Sequence, residues 1–264
     1  MDIDAFPIWV IFLGTVLIVL GAIEIGYLIG QNTHRRSEGE KEGAVSGMSG
    51  AILGITAFIL AFSFSIVANR FDTRKSLVIE DANAVRTAYA RAAFLPAPAR
   101  ADSQRLLRRY LDIRTRFLRQ GEVDEAQIRT VLQETNQLQR RLWDIAVGNV
   151  PRDDIGALYL ESLNEVAAVN ASRVTVGLQA RVPHIIWLAL LGLLVLGMAS
   201  IGYLTGISGS RRSKATVILA LAFSTVITMT AGLDRPGAVV VPQHALLDLQ
   251  RYIEGAPPPA DDAR

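Results

Sequence analysis

Residues Ser46–Ala68 read SGMSGAILGITAFILAFSFSIVA, and the chain continues from Asn69 as NRFDTRKSLVIEDANAVRTAYARAAFL before Pro96 interrupts it. The first stretch holds no Asp, Glu, Lys or Arg and is long enough to cross a hydrocarbon core of about 30 Å. The second is polar, yet Val78, Ala82, Val85, Tyr89, Ala92 and Ala93 recur at helical spacing. One helix is therefore expected to leave the membrane and run on into an extramembrane domain, ending at Pro96 and Pro98.

Three more apolar runs share the first property: Pro7 to Gly30, Pro183 to Gly206 and Ala215 to Leu233. Each has at most one ionisable residue away from its ends. Half of the 264 residues are hydrophobic, only 20% are charged, and mean hydropathy is +0.30. Four such runs buried inside a soluble protein would leave too little polar surface. The expected fold is an all-α integral membrane protein with four spans in two hairpins flanking an extramembrane helical bundle. The division is 1–68, 69–182, 183–233 and a tail, 234–264. The N-terminus, Met1-Asp2-Ile3-Asp4, is acidic and lacks the basic start of a cleavable signal peptide.

Between the second and third spans, sustained alternation and Asn-Gly hairpin signals are missing. Asp102 to Gln120 reads as a helix closed by Gly121. Val123 to Val147 is another, with Ile128, Val131, Leu132, Leu138, Leu142 and Trp143 on one face and Gly148 after it. Asp153 caps the next, which carries Ile155, Leu158, Tyr159, Leu163, Val166 and Val169. One apolar stripe per helix predicts a bundle. In the tail, Ala238 to Tyr252 is a short apolar segment, and Gly255-Ala-Pro-Pro-Pro-Ala-Asp-Asp reads as disordered.

Composition narrows the chemistry. Cysteine is absent, which excludes disulfides, thiolate metal sites and a Cys nucleophile. His34, His184 and His244 have no metal-ligand spacing, and a net charge of +2 is far from the dense basic face of a nucleic-acid binder. With no Ser-His-Asp set, phosphate loop or paired-carboxylate cleft, no enzyme, cofactor or metal is expected. Lipid, ions and further copies of the chain are the expected partners.

Several membrane residues could carry ion chemistry. Glu24, inside the first span, is either an ion-path residue or a carboxylate that reaches the headgroups or pairs with Arg35 or Arg36. Gly43, Gly47, Gly50, Gly54, Ala57 and Ala61 form a small-residue seam that allows a helix to approach closely. Ser49, Thr56 and Ser63 form a polar line that either lines a water path or bonds helix carbonyls. Phe58 and Phe62, four apart, would make a dewetting constriction if repeated around an axis, or else pack as ordinary aromatics. Outside the membrane, Glu80-Asp81-Ala82-Asn83 with Arg86 and Arg91 reads as solvated ion pairing, and the cluster Arg105, Arg108, Arg109, Arg116 and Arg119 reads either as a solvated helix face or as a patch that attracts anions or acidic headgroups.

Orientation follows the basic loops. Arg35, Arg36 and Lys41 lie in one hairpin loop, and Arg211, Arg212 and Lys214 in the other. The positive-inside rule predicts both loops in the cytoplasm and the helical domain on the opposite side of the membrane. The opposing count is nearly level: Arg70, Arg74, Lys75, Arg173, Arg181 and Arg235.

Two membrane hairpins around a helical domain, with Glu24-Ile25-Gly26, Glu80 to Ala84 and Leu233 to Gly237, resemble the bacterial bestrophin-like domain family over Pro7 to about Leu249. More distantly the chain is similar to bestrophins, homopentameric anion channels whose second helix lines the pore. That resemblance implies that Phe58 and Phe62 are neck positions, with Arg70-Phe71 where an arginine-aromatic pair follows. Gly54 would replace the first neck residue. Only Asp234 stands where the acidic calcium clasp of the animal channels would lie, and bestrophins hold their helical domain in the cytoplasm. An oligomeric channel is therefore one functional reading. The other is a non-conducting sensor, scaffold or accessory subunit whose helical domain binds a partner.

Overall fold

The long helix expected from the second span is continuous. In a computed structural model that describes residues 6–36, 42–116, 125–179, 181–209, 215–235 and 241–255, α2 runs unbroken over Glu42–Arg91, 50 residues. Before it comes α1 (Ile8–Arg36). After it come α3 (Ala97–Arg116), α4 (Glu125–Asn149), α5 (Asp154–Val174), α6 (His184–Ile207), α7 (Ala215–Asp234) and α8 (His244–Glu254). No strand occurs among the described residues. Four helices are long and apolar enough to cross a membrane: those starting at Ile8, Gly43, His184 and Ala215.

The chain divides into two units. Unit one comprises 1–69 and 181–235; unit two comprises 70–180 and 236–264. α2 contributes its first half to one and its second half to the other.

Unit one is built around α6. On one side α1 runs parallel to it at backbone contact. A Cβ at Gly26 would overlap the Ala199 carbonyl, one at Gly30 the Tyr203 carbonyl, and one at Gly202 the Ile23 carbonyl. Only glycine permits this approach. On another side α2 lies antiparallel to α6, with Leu53 beside Gly197 and Ser49 beside Ser200. Val19, Ala22 and Ile23 of α1, Leu194 and Met198 of α6 and Ala220 of α7 close the core. The helices of the first expected hairpin thus pack on those of the second.

Unit two is a helical bundle. Val85, Ala88, Leu107, Tyr110, Leu142, Tyr159 and Val166 meet in its core, and α8 adds Leu246 and Leu249. After Arg91 the chain tightens into a 3₁₀ turn, Ala92–Phe94, and Leu95 is extended because a proline follows. α3 then begins at Ala97, not Asp102. Pro98 falls in the first turn, where its missing N–H costs nothing. Asp153 caps α5 by accepting the Gly156 N–H at 2.8 Å, as expected. Trp143, Ile155 and Leu158, expected inward, are exposed. Thr135, Gly156 and Ser162 hold the inward positions instead. α8 stops at Gly255, whose φ of 72° suits glycine. Gly121 and the proline-rich tail fall outside the described residues.

Candidate functional site

α2 presents two different faces in unit one. Val45, Ser49, Thr56, Leu60, Ser63 and Val67 are buried. Ser49 Oγ donates to the Val45 carbonyl at 2.9 Å and lies 2.5 Å from Ser200 Oγ. Thr56 Oγ1 is 2.7 Å from the Ile52 carbonyl and 3.3 Å from the Leu193 carbonyl on α6, and Ser63 Oγ donates to Ile59 at 2.8 Å. The polar line is thus spent on helix carbonyls and the α2–α6 contact. It does not share a face with the phenylalanines.

Phe58 and Phe62 lie on the other side, 69% and 57% exposed, and Ile55 is exposed beside them. The seam borders this face. Gly43, Gly47, Gly50 and Gly54 have nothing within 4 Å of where a Cβ would stand. Ala57 and Ala61 are exposed too. No described part of the chain covers this side of α2. The close glycine packing within the chain belongs instead to α1 and α6, where Gly26, Gly30, Gly202 and Gly206 meet opposing backbone. Spacing alone could not separate these from Gly14, Gly21 or Gly192, which meet nothing.

Glu24 is half-buried on α1, two residues from the close contact at Gly26. Asp234 and Arg235, both buried, tie element ends together. The Asp234 carboxylate accepts the Val182 N–H at 3.1 Å, just before α6. Arg235 donates to the Phe6 carbonyl at 2.5 Å, just before α1.

The largest departure from expectation is Asp81. It is 0% exposed, so it is not part of a solvated ion pair. Tyr110 Oη donates to it at 2.9 Å, Arg173 Nη1 pairs with it, and Arg114 Nε lies 3.8 Å away. Arg114 also bonds Asn170 and donates to Tyr110 Oη at 3.1 Å, and Arg173 reaches Gln243 at 3.2 Å. One carboxylate thus joins α2, α3, α5 and the approach to α8. Burial pushes the Tyr110 hydroxyl up to about 12 and pulls the Arg173 guanidinium down. Arg114, Arg173 and Tyr110 carried no signal of this role in the sequence, because their partner is distant along the chain.

Among the described residues no group of His, Asp and Glu is placed to hold a metal.

The family model for the Bestrophin-like domain matches residues 16–260. Among solved structures, the chain is similar to a crystal structure of a mutant bacterial bestrophin homolog from Klebsiella pneumoniae, with a TM-score of 0.60 at 18% identity. The match covers 94% of this chain and 99% of that one, and at this identity it is a likeness of fold. No curated protein matches.

Proposed function

The chain belongs to the bestrophin-like family, and from that premise we propose that it is a subunit of a homo-oligomeric ion channel in which α2 faces the pore. The observation that carries this reading is the uncovered face of α2. Its glycine seam has no neighbour within the chain, while Phe58 and Phe62 stand exposed on the adjoining strip. At 100° per residue the seam and the phenylalanines are about 80° apart around the helix. In lipid, small residues associate helices because they allow backbones to approach. A second copy of the chain packed on the seam would turn the phenylalanines towards an axis. Repeated around it, they would form a dry neck that an ion crosses without its hydration shell. Ser49 and Thr56 then brace α2 against α6, Ser63 bonds its own helix, and none of the three has a place in the pore. Glu24 on α1 is the rival location for an ion path. The charge of the loops favours a helical domain outside the cytoplasm, and the likeness to a bacterial bestrophin homolog favours a bacterial inner membrane.

Chloride flux from liposomes holding the purified protein tests the reading. Phe58→Ala combined with Phe62→Ala widens the neck and admits water, so flux should rise several-fold. Glu24→Gln should change it little. A large selectivity change in Glu24→Gln would move the path to α1. Absence of flux from a monomer or dimer would leave the non-conducting sensor, scaffold or accessory-subunit reading.

A further inference from the structure

Within unit two, the last turns of α2's second half, the first half of α3 and helix α8 leave an open groove of about 520 Å³. Arg86, Tyr89, Arg91, Gln104, Tyr252 and Ile253 line it. That volume is in the range of small-molecule sites, which combine apolar walls with a few polar groups.

The cations of this groove are not equivalent. Arg91 is committed: its Nη1 donates to the Leu158 carbonyl at 2.6 Å and lies 3.5 Å from Glu161. Nearby Arg108 donates to the Tyr89 hydroxyl at 2.6 Å. Arg86 differs. Its guanidinium lies 4.7 Å from the centroid of the Tyr252 ring, and among the described residues no carboxylate or carbonyl accepts from it. A contact of the guanidinium with a ring spends none of its N–H donors on an oxygen acceptor. Those donors form a fork that matches a carboxylate with two parallel bonds. The wall beside them is apolar: Tyr252 is exposed, and Ile253 follows it.

We infer that this groove binds a small organic carboxylate, its head on Arg86 and its planar apolar body against Tyr252 and Ile253. An inorganic anion would gain nothing from the aromatic wall. A neutral apolar molecule would gain nothing from the Arg86 donors. The site is separate from the face of α2 on which the conduction reading rests, so either can fail without the other.

Naphthoate is a suitable probe, measured by equilibrium dialysis against the full chain in lipid nanodiscs with empty nanodiscs subtracted. Saturable binding of one naphthoate per chain is expected, with naphthalenemethanol, its neutral analogue, binding at least tenfold more weakly. Arg86→Gln should weaken naphthoate binding about tenfold or more, as loss of a charge-assisted pair does. Arg86→Lys, which keeps the charge but not the planar fork of donors, should restore it only in part. Tyr252→Leu should weaken it several-fold, and Arg140→Gln on α4 should not change it. Arg86 and Tyr252 are exposed, so these variants are expected to fold, which their helical circular dichroism checks. Uptake equal to that of empty nanodiscs, equal affinity for naphthalenemethanol, or unchanged binding in Arg86→Gln would overturn the assignment.

Discussion

Asp81 illustrates how a residue's chemistry depends on partners far away in sequence. A buried carboxylate survives because two guanidiniums and a phenol surround it. Removing the carboxylate is far worse than never having had the cluster, since it strands buried charge. Asp81→Asn should therefore lower the stability of unit two by roughly 3–5 kcal/mol, read as a fall in the thermal midpoint of the helical signal. The pH response is equally specific. Tyr110 has an ordinary pKa of 10.0, raised to about 12 by burial. Between those values the folded state holds a proton that the unfolded state has lost, so this contribution is complete below pH 10 and disappears as pH rises through 12. Tyr110→Phe should flatten the loss of stability over that window; an unchanged slope would mean the phenol does not titrate against folding. The sequence made Glu80-Asp81 conspicuous but not its setting. Nothing in the spacing of Arg114 or Arg173 says that they converge on it, so surface pairing was the natural expectation.

At the scale of elements, the run from Ser46 to Arg91 was legible as one helix because no proline or glycine breaks the passage from the uncharged stretch into the helically spaced apolar positions from Val78 onward. Helix starts were less legible. Pro98 reads as a breaker, yet in a first turn it is a helix-starting residue, which moved the start of α3 back to Ala97. Glycines were the least legible, because a helix face does not say what lies opposite. The structure separates them into two classes with opposite outcomes. Gly26→Leu or Gly202→Leu would drive a side chain into the facing backbone of α1 or α6 and should cost at least 1–3 kcal/mol in the protomer. At Gly50 a Cβ would have no described neighbour within 4 Å, and the position is exposed, so Gly50→Leu has room within the protomer. It should leave protomer stability unchanged but dissociate the assembly, as native mass spectrometry would show. An intact assembly in Gly50→Leu would place the seam against lipid.

As a whole molecule, this is an integral membrane protein of the bestrophin-like family. Family membership and the four long apolar helices were readable because long uncharged runs and short motifs are local signals. The motifs themselves prove to mark joints: Gly26 at the α1–α6 contact, Asp81 in the bundle, and Asp234 with Arg235 at the ends of α1, α6 and α7. Which side each loop occupies rests on a near-level charge count. Cysteines placed at Ser37 and Ser210 should be shielded from an impermeant thiol reagent in intact cells, while one at exposed Gln133 labels. The reverse labelling would put the helical domain in the cytoplasm. The central claim concerns what lies opposite the open face of α2, and a single-particle image of the purified protein in lipid nanodiscs tests it most directly. The expected image is a closed ring of copies, each packed on its neighbour through Gly47, Gly50 and Gly54, with the Phe58 and Phe62 rings nearest the central axis. A monomer or dimer, or a ring in which those phenylalanines face lipid, would contradict it.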